Sequence, residues 1–163
     1  MLVSVFVIGV APVLFGQPTL LHAVGESSDV SLILDLLENG ADISAVNEFG
    51  ETALHIAAIR KDIQVLNTLI EHGADVDAFT SGTYEGHSVT VTRTPLMWMV
   101  YHCEANLILP FIESGANLNL VSEEGETVLD LALGLGARCE DVTQALLLAG
   151  GRRGKGEQVK QEL

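Results

Sequence analysis

Thr52-Ala53-Leu54-His55-Ile56-Ala57 opens a stretch that closes, after an apolar run, on His72-Gly73-Ala74-Asp75-Val76. Each half has echoes. The closing phrase stands 33 residues earlier as Asn39-Gly40-Ala41-Asp42-Ile43 and 42 residues later as Ser114-Gly115-Ala116-Asn117-Leu118, with a worn copy at Ala149-Gly150-Gly151. The opening phrase keeps the same step: Thr19-Leu20-Leu21-His22-Ala23-Val24 before it, Thr94-Pro95-Leu96-Met97-Trp98-Met99 and Thr127-Val128-Leu129-Asp130-Leu131-Ala132 after it. Two phrases share one period and the same nine-residue excess in the same place, which composition alone does not produce.

Each phrase has a physical reading. A threonine hydroxyl can accept from an orphan backbone N–H at a helix start, and Pro95 falls in the first turn, where its missing N–H is not needed. A first helix of about nine residues follows. A second helix then carries paired apolar positions: Leu32, Ile33, Leu36 and Leu37, then Val65, Leu66, Leu69 and Ile70, then Leu107, Ile108, Phe111 and Ile112. Such spacing traces one helical face. Gly40, Gly73 and Gly115 terminate it, where a left-handed residue is needed. Asn47-Glu48-Phe49-Gly50 and Ser122-Glu123-Glu124-Gly125 turn the chain back. Pro110, inside the third second-helix, predicts a late start or a bend. Extra residues within Gly134-Leu135-Gly136-Ala137-Arg138 predict a loosened turn in the fourth unit.

The 33-residue period, with Thr-Pro-Leu-His-like openings and Gly-Ala-Asp closings, resembles the ankyrin repeat. The resemblance covers residues 17–151, in units 17–46, 47–78, 79–120 and 121–151. It implies an all-α solenoid of stacked helix pairs with β-hairpin-like fingers, each unit burying its apolar face on its neighbours. It also implies that His22 and His55 hydrogen-bond adjacent units, and that recognition uses the concave side made by first helices and finger tips. The openings of the last two units depart from the pattern, with Met97 and Asp130 in place of histidine, as terminal units of a stack often do.

Carried along that register, the concave positions are Ala23, Ile56, Trp98 and Leu131, then Glu26, Ile59, Tyr101 and Gly134. The expected partner-binding residues are Ile56, Ile59, Arg60, Trp98, Tyr101, His102 and Leu131, joined by Phe49 and Phe79 of the fingers. Trp98 is the one tryptophan, and tryptophan and tyrosine are over-represented at binding hot spots; inter-repeat packing is the competing reading for Trp98. The nine-residue excess falls around Phe79–His87, before a β-prone Ser88-Val89-Thr90-Val91-Thr92. Tyr84, His87 and Arg93 are its candidate contact residues, set against neutral drift in a surface loop.

Composition narrows the function. Hydrophobic residues make up 48% and aromatics 5%, so the core is aliphatic. The chain carries 22 acidic and 8 basic side chains, and residues 1–137 hold 18 acids and 3 bases. Such a body repels phosphate backbones, which argues against nucleic acid as a ligand. It favours a protein partner with a basic or neutral surface, although acidity also keeps a small protein soluble. The chain lacks H-E-x-x-H, C-x-x-C, G-x-S-x-G and N-x-[ST] motifs, and Gly150–Gly156 fails the phosphate-loop pattern because Ala149 and Gly156 stand at required Gly and Ser/Thr positions. His72 precedes its closing glycine, where a ring that can carry positive charge suits a helix end. No catalytic residue, metal site or cofactor is expected.

Cys103 and Cys139 form no metal or multi-disulfide pattern; two inert thiols or one bridge in an exported protein are the alternatives. Residues 1–16 are an apolar lead-in too short to span a membrane and without the basic start of a signal peptide. A cytoplasmic protein is favoured slightly over one exported by an atypical signal. Residues 152–163 read as a flexible, mildly basic tail. The expectation is a non-catalytic, monomeric adaptor, scaffold or inhibitor, with an exported structural or protective protein as the alternative.

Overall fold

In the computed structural model, residues 19–80 and 92–154 are described. Among these residues, eight α-helices follow one another in pairs: α1 (Leu20–Glu26) with α2 (Val30–Glu38), α3 (Ala53–Arg60) with α4 (Ile63–Glu71), α5 (Pro95–Val100) with α6 (Ala105–Glu113), and α7 (Val128–Gly134) with α8 (Glu140–Leu148). First helices pack in the order α1, α3, α5, α7 and second helices in the order α2, α4, α6, α8. This is the two-layer stack that the period predicts.

The local causes repeat. Thr19, Thr52, Thr94 and Thr127 each accept from the backbone N–H three residues on, so the same hydroxyl starts every first helix. Asp29 and Asp62 cap α2 and α4 with their carboxylates, whereas Glu104 and Cys139 make no such bond ahead of α6 and α8. Gly40, Gly73, Gly115 and Gly150 follow the second helices at φ between 82° and 91°, the left-handed geometry expected of them. Lys61 (φ 59°) and Cys103 (φ 57°) adopt that geometry too. Both stand twelve residues before a closing glycine.

Pro110 corrects an expectation. Helix α6 starts ten residues before its closing glycine, as α2, α4 and α8 do, so it does not begin late. The carbonyl that Pro110 leaves without a donor belongs to Asn106, which is exposed and can turn to water. The extra residues of the fourth pair are taken up by a 3-10 turn, Gly136–Cys139.

One continuous aliphatic core runs through all four pairs, with Ile33, Leu54, Leu66, Leu69, Met97, Ile108, Phe111 and Leu129 among its most buried members. The fingers are minimal. The bridge Val46↔Thr52 is antiparallel, and Asn47 Oδ1 accepts from Phe49 and Glu51 N–H at 3.0 and 2.9 Å. At the base of the third finger, Thr80 N–H donates to Arg93 O and Arg93 N–H to Thr80 Oγ1, both at 3.0 Å. Residues 1–18, 81–91 and 155–163 lie outside the described residues, and with them the lead-in, Tyr84, His87 and most of the tail.

Cys103 and Cys139 are joined as a disulfide, tying the turn of the third pair to the start of α8. Of the two alternatives for these cysteines, the structure takes the bridge.

Candidate functional site

Several side chains cross the seams between pairs to reach backbone carbonyls. His55 is buried. Its Nδ1 accepts from Thr52 N–H at 3.2 Å, so the ring proton is on Nε2, which donates to Arg93 O at 3.0 Å across the seam to the third pair. Burial disfavours the imidazolium and holds its pKa below the usual histidine value, against the opposing pull of the Arg93 carbonyl and the Glu51 charge. His22 behaves differently. It is exposed, and its ring makes no hydrogen bond to a described residue, so the inter-unit bond expected of it is absent.

Arg60 bridges that first seam instead, donating to Gly25 O at the end of α1. His102, 42 residues on and at the same register, donates through Nε2 to Ala58 O in α3 at 3.1 Å. Arg138 continues the series with a 2.9 Å bond to Tyr101 O. Each donor meets the carbonyl end of the preceding first helix, where hydrogen-bond donors and positive charge are favourable. Two residues expected to meet a partner, Arg60 and His102, thus serve the stack. The signal was present: both stand at the C-terminal end of a first helix, 42 residues apart and at equal register.

At the fourth pair the polarity reverses. Asp130 stands where His55 stands in the second pair and accepts at Oδ2 from Thr127 N–H (3.0 Å) and Gly154 N–H (2.6 Å), while Oδ1 pairs with Arg153 Nε at 3.1 Å. Burial raises its pKa, but hydrogen bonds from Thr127, Gly154 and Arg153 outweigh this and the net shift is downward. Arg152 N–H also donates to Asn119 Oδ1 at 2.7 Å. A Cβ at Gly154 would stand 2.3 Å from Gly125 O, so the closeness of this docking requires glycine. Residues 152–154, expected to begin a free tail, lie against the last pair. Arg153 and Gly154, together with Glu124, Glu126 and Leu133, edge an open cleft of about 410 Å³.

The remaining candidates divide by burial. Leu131 is 7% exposed and lies in the core because α7 packs on α5, so it is no surface contact. Ile56, Trp98 and Tyr101 are half-buried, and Ile59 is 40% exposed. Phe79 is exposed at the finger of the third unit, and Phe49 is half-buried in that of the second.

Arg93 joins the two aromatic residues. Its guanidinium carbon lies 5.3 Å from the Trp98 ring centroid and 4.9 Å from that of Tyr101. The two ring centroids are 6.2 Å apart, and an Arg93 terminal nitrogen donates to the Tyr101 hydroxyl. The pattern of aromatic positions pointed to Trp98 and Tyr101 together; that the finger base would place Arg93 on them was not readable from spacing. Among the described residues no group of His, Cys, Asp and Glu could hold a metal ion, and no helix is long and apolar enough to cross a membrane.

Stacked helix pairs, left-handed glycine closings and short fingers define a helical repeat protein. Residues 20–70 match the family model for ankyrin repeats (many copies), which supports the ankyrin-repeat reading of the chain. Ankyrin repeats generally mediate protein–protein interaction, and as a class they are non-enzymatic. No curated protein matches the chain.

Proposed function

We propose that this protein holds a partner protein on the face made by its first helices, as a non-catalytic adaptor, scaffold or inhibitor. The observation that carries the reading is the row Ile56, Ile59, Trp98 and Tyr101, half-buried or exposed on α3, on α5 and at the C-cap of α5, with Arg93 set over the aromatic pair. Partly exposed apolar and aromatic groups placed side by side mark interfaces more often than free surface. The acidic body suits a partner whose wider surface is basic or neutral. Ile59→Asp changes a side chain outside the core, so the fold should survive it. Affinity capture from the native host with wild type and Ile59→Asp tests the reading. A partner held by wild type and lost by the folded variant supports it; a partner held equally by both refutes it.

A second reading is favoured by the Cys103–Cys139 bridge. Disulfides persist in oxidising compartments, and the apolar residues 1–16 have the length of a signal-peptide core. In this reading the protein is exported and has a structural or protective role. Intact mass of the protein from its native host decides between them: a chain starting near Gln17 supports export, and a chain retaining the lead-in with both thiols reduced removes it.

A further inference from the structure

Around Arg93 the donors outnumber the acceptors. The Tyr101 hydroxyl accepts from the guanidinium, which leaves its own proton to be given elsewhere. Arg93 Nε and Trp98 Nε1 are shielded from solvent and have no hydrogen-bond partner. Buried donors without acceptors are uncommon in native proteins. The two ion pairs among the described residues, Lys61–Glu104 and Arg153–Asp130, do not involve Arg93. Among the described residues, Arg93 makes no ion pair with a carboxylate.

The cation is also held in place. Its backbone N–H is fixed by Thr80 Oγ1, and its carbonyl by Thr80 N–H and His55 Nε2. Two rings lie beside the guanidinium plane, an arrangement that limits its rotation and lowers the local dielectric. A planar fork held in this way matches a carboxylate, which accepts from two N–H groups at once.

Resting on the reading of this face as protein-binding, we infer that Arg93, Trp98 and Tyr101 form an anchor for one carboxylate of the partner. That carboxylate is an Asp or Glu side chain of the partner. The acidic body then excludes other negative charge around it, so the anchor selects a lone acid within a neutral or basic surface. This specifies the chemistry of the contact, which the repeat class does not.

The test uses the full chain and peptides selected on it from a random library. Trp98, the one tryptophan, reports binding by its fluorescence. Each selected peptide is compared with versions in which an acidic side chain is made an amide, or the terminus is amidated; a loss on amidating the terminus alone overturns the side-chain assignment. Converting one carboxylate should weaken binding to wild type about ten-fold or more, and should weaken binding to Arg93→Gln far less, because the charge it served is gone. Tyr101→Phe, which removes only a hydroxyl, should reduce affinity for the carboxylate peptide and leave the amide peptide unchanged; it serves if Arg93→Gln fails to fold by circular dichroism. Equal binding of acid and amide peptides, or equal losses in wild type and both variants, overturns the anchor. Ile59→Asp separates the two levels: if it removes peptide binding while acid and amide bind alike, only the anchor fails. If peptide binding survives Ile59→Asp, the reading of the face fails with it.

Discussion

His55 does two jobs with one ring, completing the cap of its own helix at Thr52 and donating to the Arg93 carbonyl across the seam. Only the neutral tautomer does both. Its folded pKa lies below the unfolded value near 6.5, so the unfolded chain binds the extra proton. The stability that this implies is complete above pH 6.5 and is lost as pH falls toward the folded pKa. His55→Gln should destabilise by about 2 kcal/mol at pH 7.5. In urea titrations the gap between wild type and variant should narrow at pH 5.5; a gap that stays constant would show that the ring does not titrate on unfolding. Lys61 tests a different local term. A side chain in left-handed geometry costs about 1 kcal/mol relative to glycine, whereas the exposed Lys61–Glu104 pair contributes little. Lys61→Gly should therefore be more stable than Lys61→Ala by about 1 kcal/mol, both having lost the ion pair. Equal midpoints for the two would argue that Lys61 sits there without strain.

At the scale of helices and turns, the bridge between Cys103 and Cys139 spans 36 residues. A loop of that length is worth about 3–4 kcal/mol in the chain-entropy account. Guanidinium unfolding with and without dithiothreitol should show a loss of that order, and hydrogen exchange should locate the loosening in α8 and the 3-10 turn before it. An unchanged midpoint would mean that packing of the fourth pair does not depend on the bridge. The helix pairs themselves were legible from a few residues per unit, because threonine caps, glycine closings and paired apolar positions act locally. The seams were less so. Cys103 and Cys139 carry no pattern of their own, and only the stack, which brings positions about one period apart together, makes them neighbours. Leu131 and Trp98 share a register position, yet one is core and the other half-exposed. Register says which side of a helix a residue occupies, but not how far the next helix covers it.

For the molecule as a whole, the acidic excess opposes compaction. With a net charge of −14, raising NaCl from about 20 to about 500 mM should screen self-repulsion and raise the melting temperature by a few degrees. A melting temperature that falls with salt would mean that specific ion pairs outweigh the net charge. Four of the side-chain contacts across the seams share one habit. Arg60 reaches Gly25 O, His55 reaches Arg93 O, His102 reaches Ala58 O and Arg138 reaches Tyr101 O, so in every case the receiving group is main chain. A carbonyl is the one acceptor that every amino acid offers. A unit joined in this way makes few demands on the identity of its neighbour, and a mutation next door rarely removes the atom that it grips. Such a chain can be lengthened by copying, and its units can diverge in sequence afterwards without parting. The nine extra residues between the second and third closings are one instance of that tolerance: His55 still meets the third unit, through the carbonyl at the far side of the insertion.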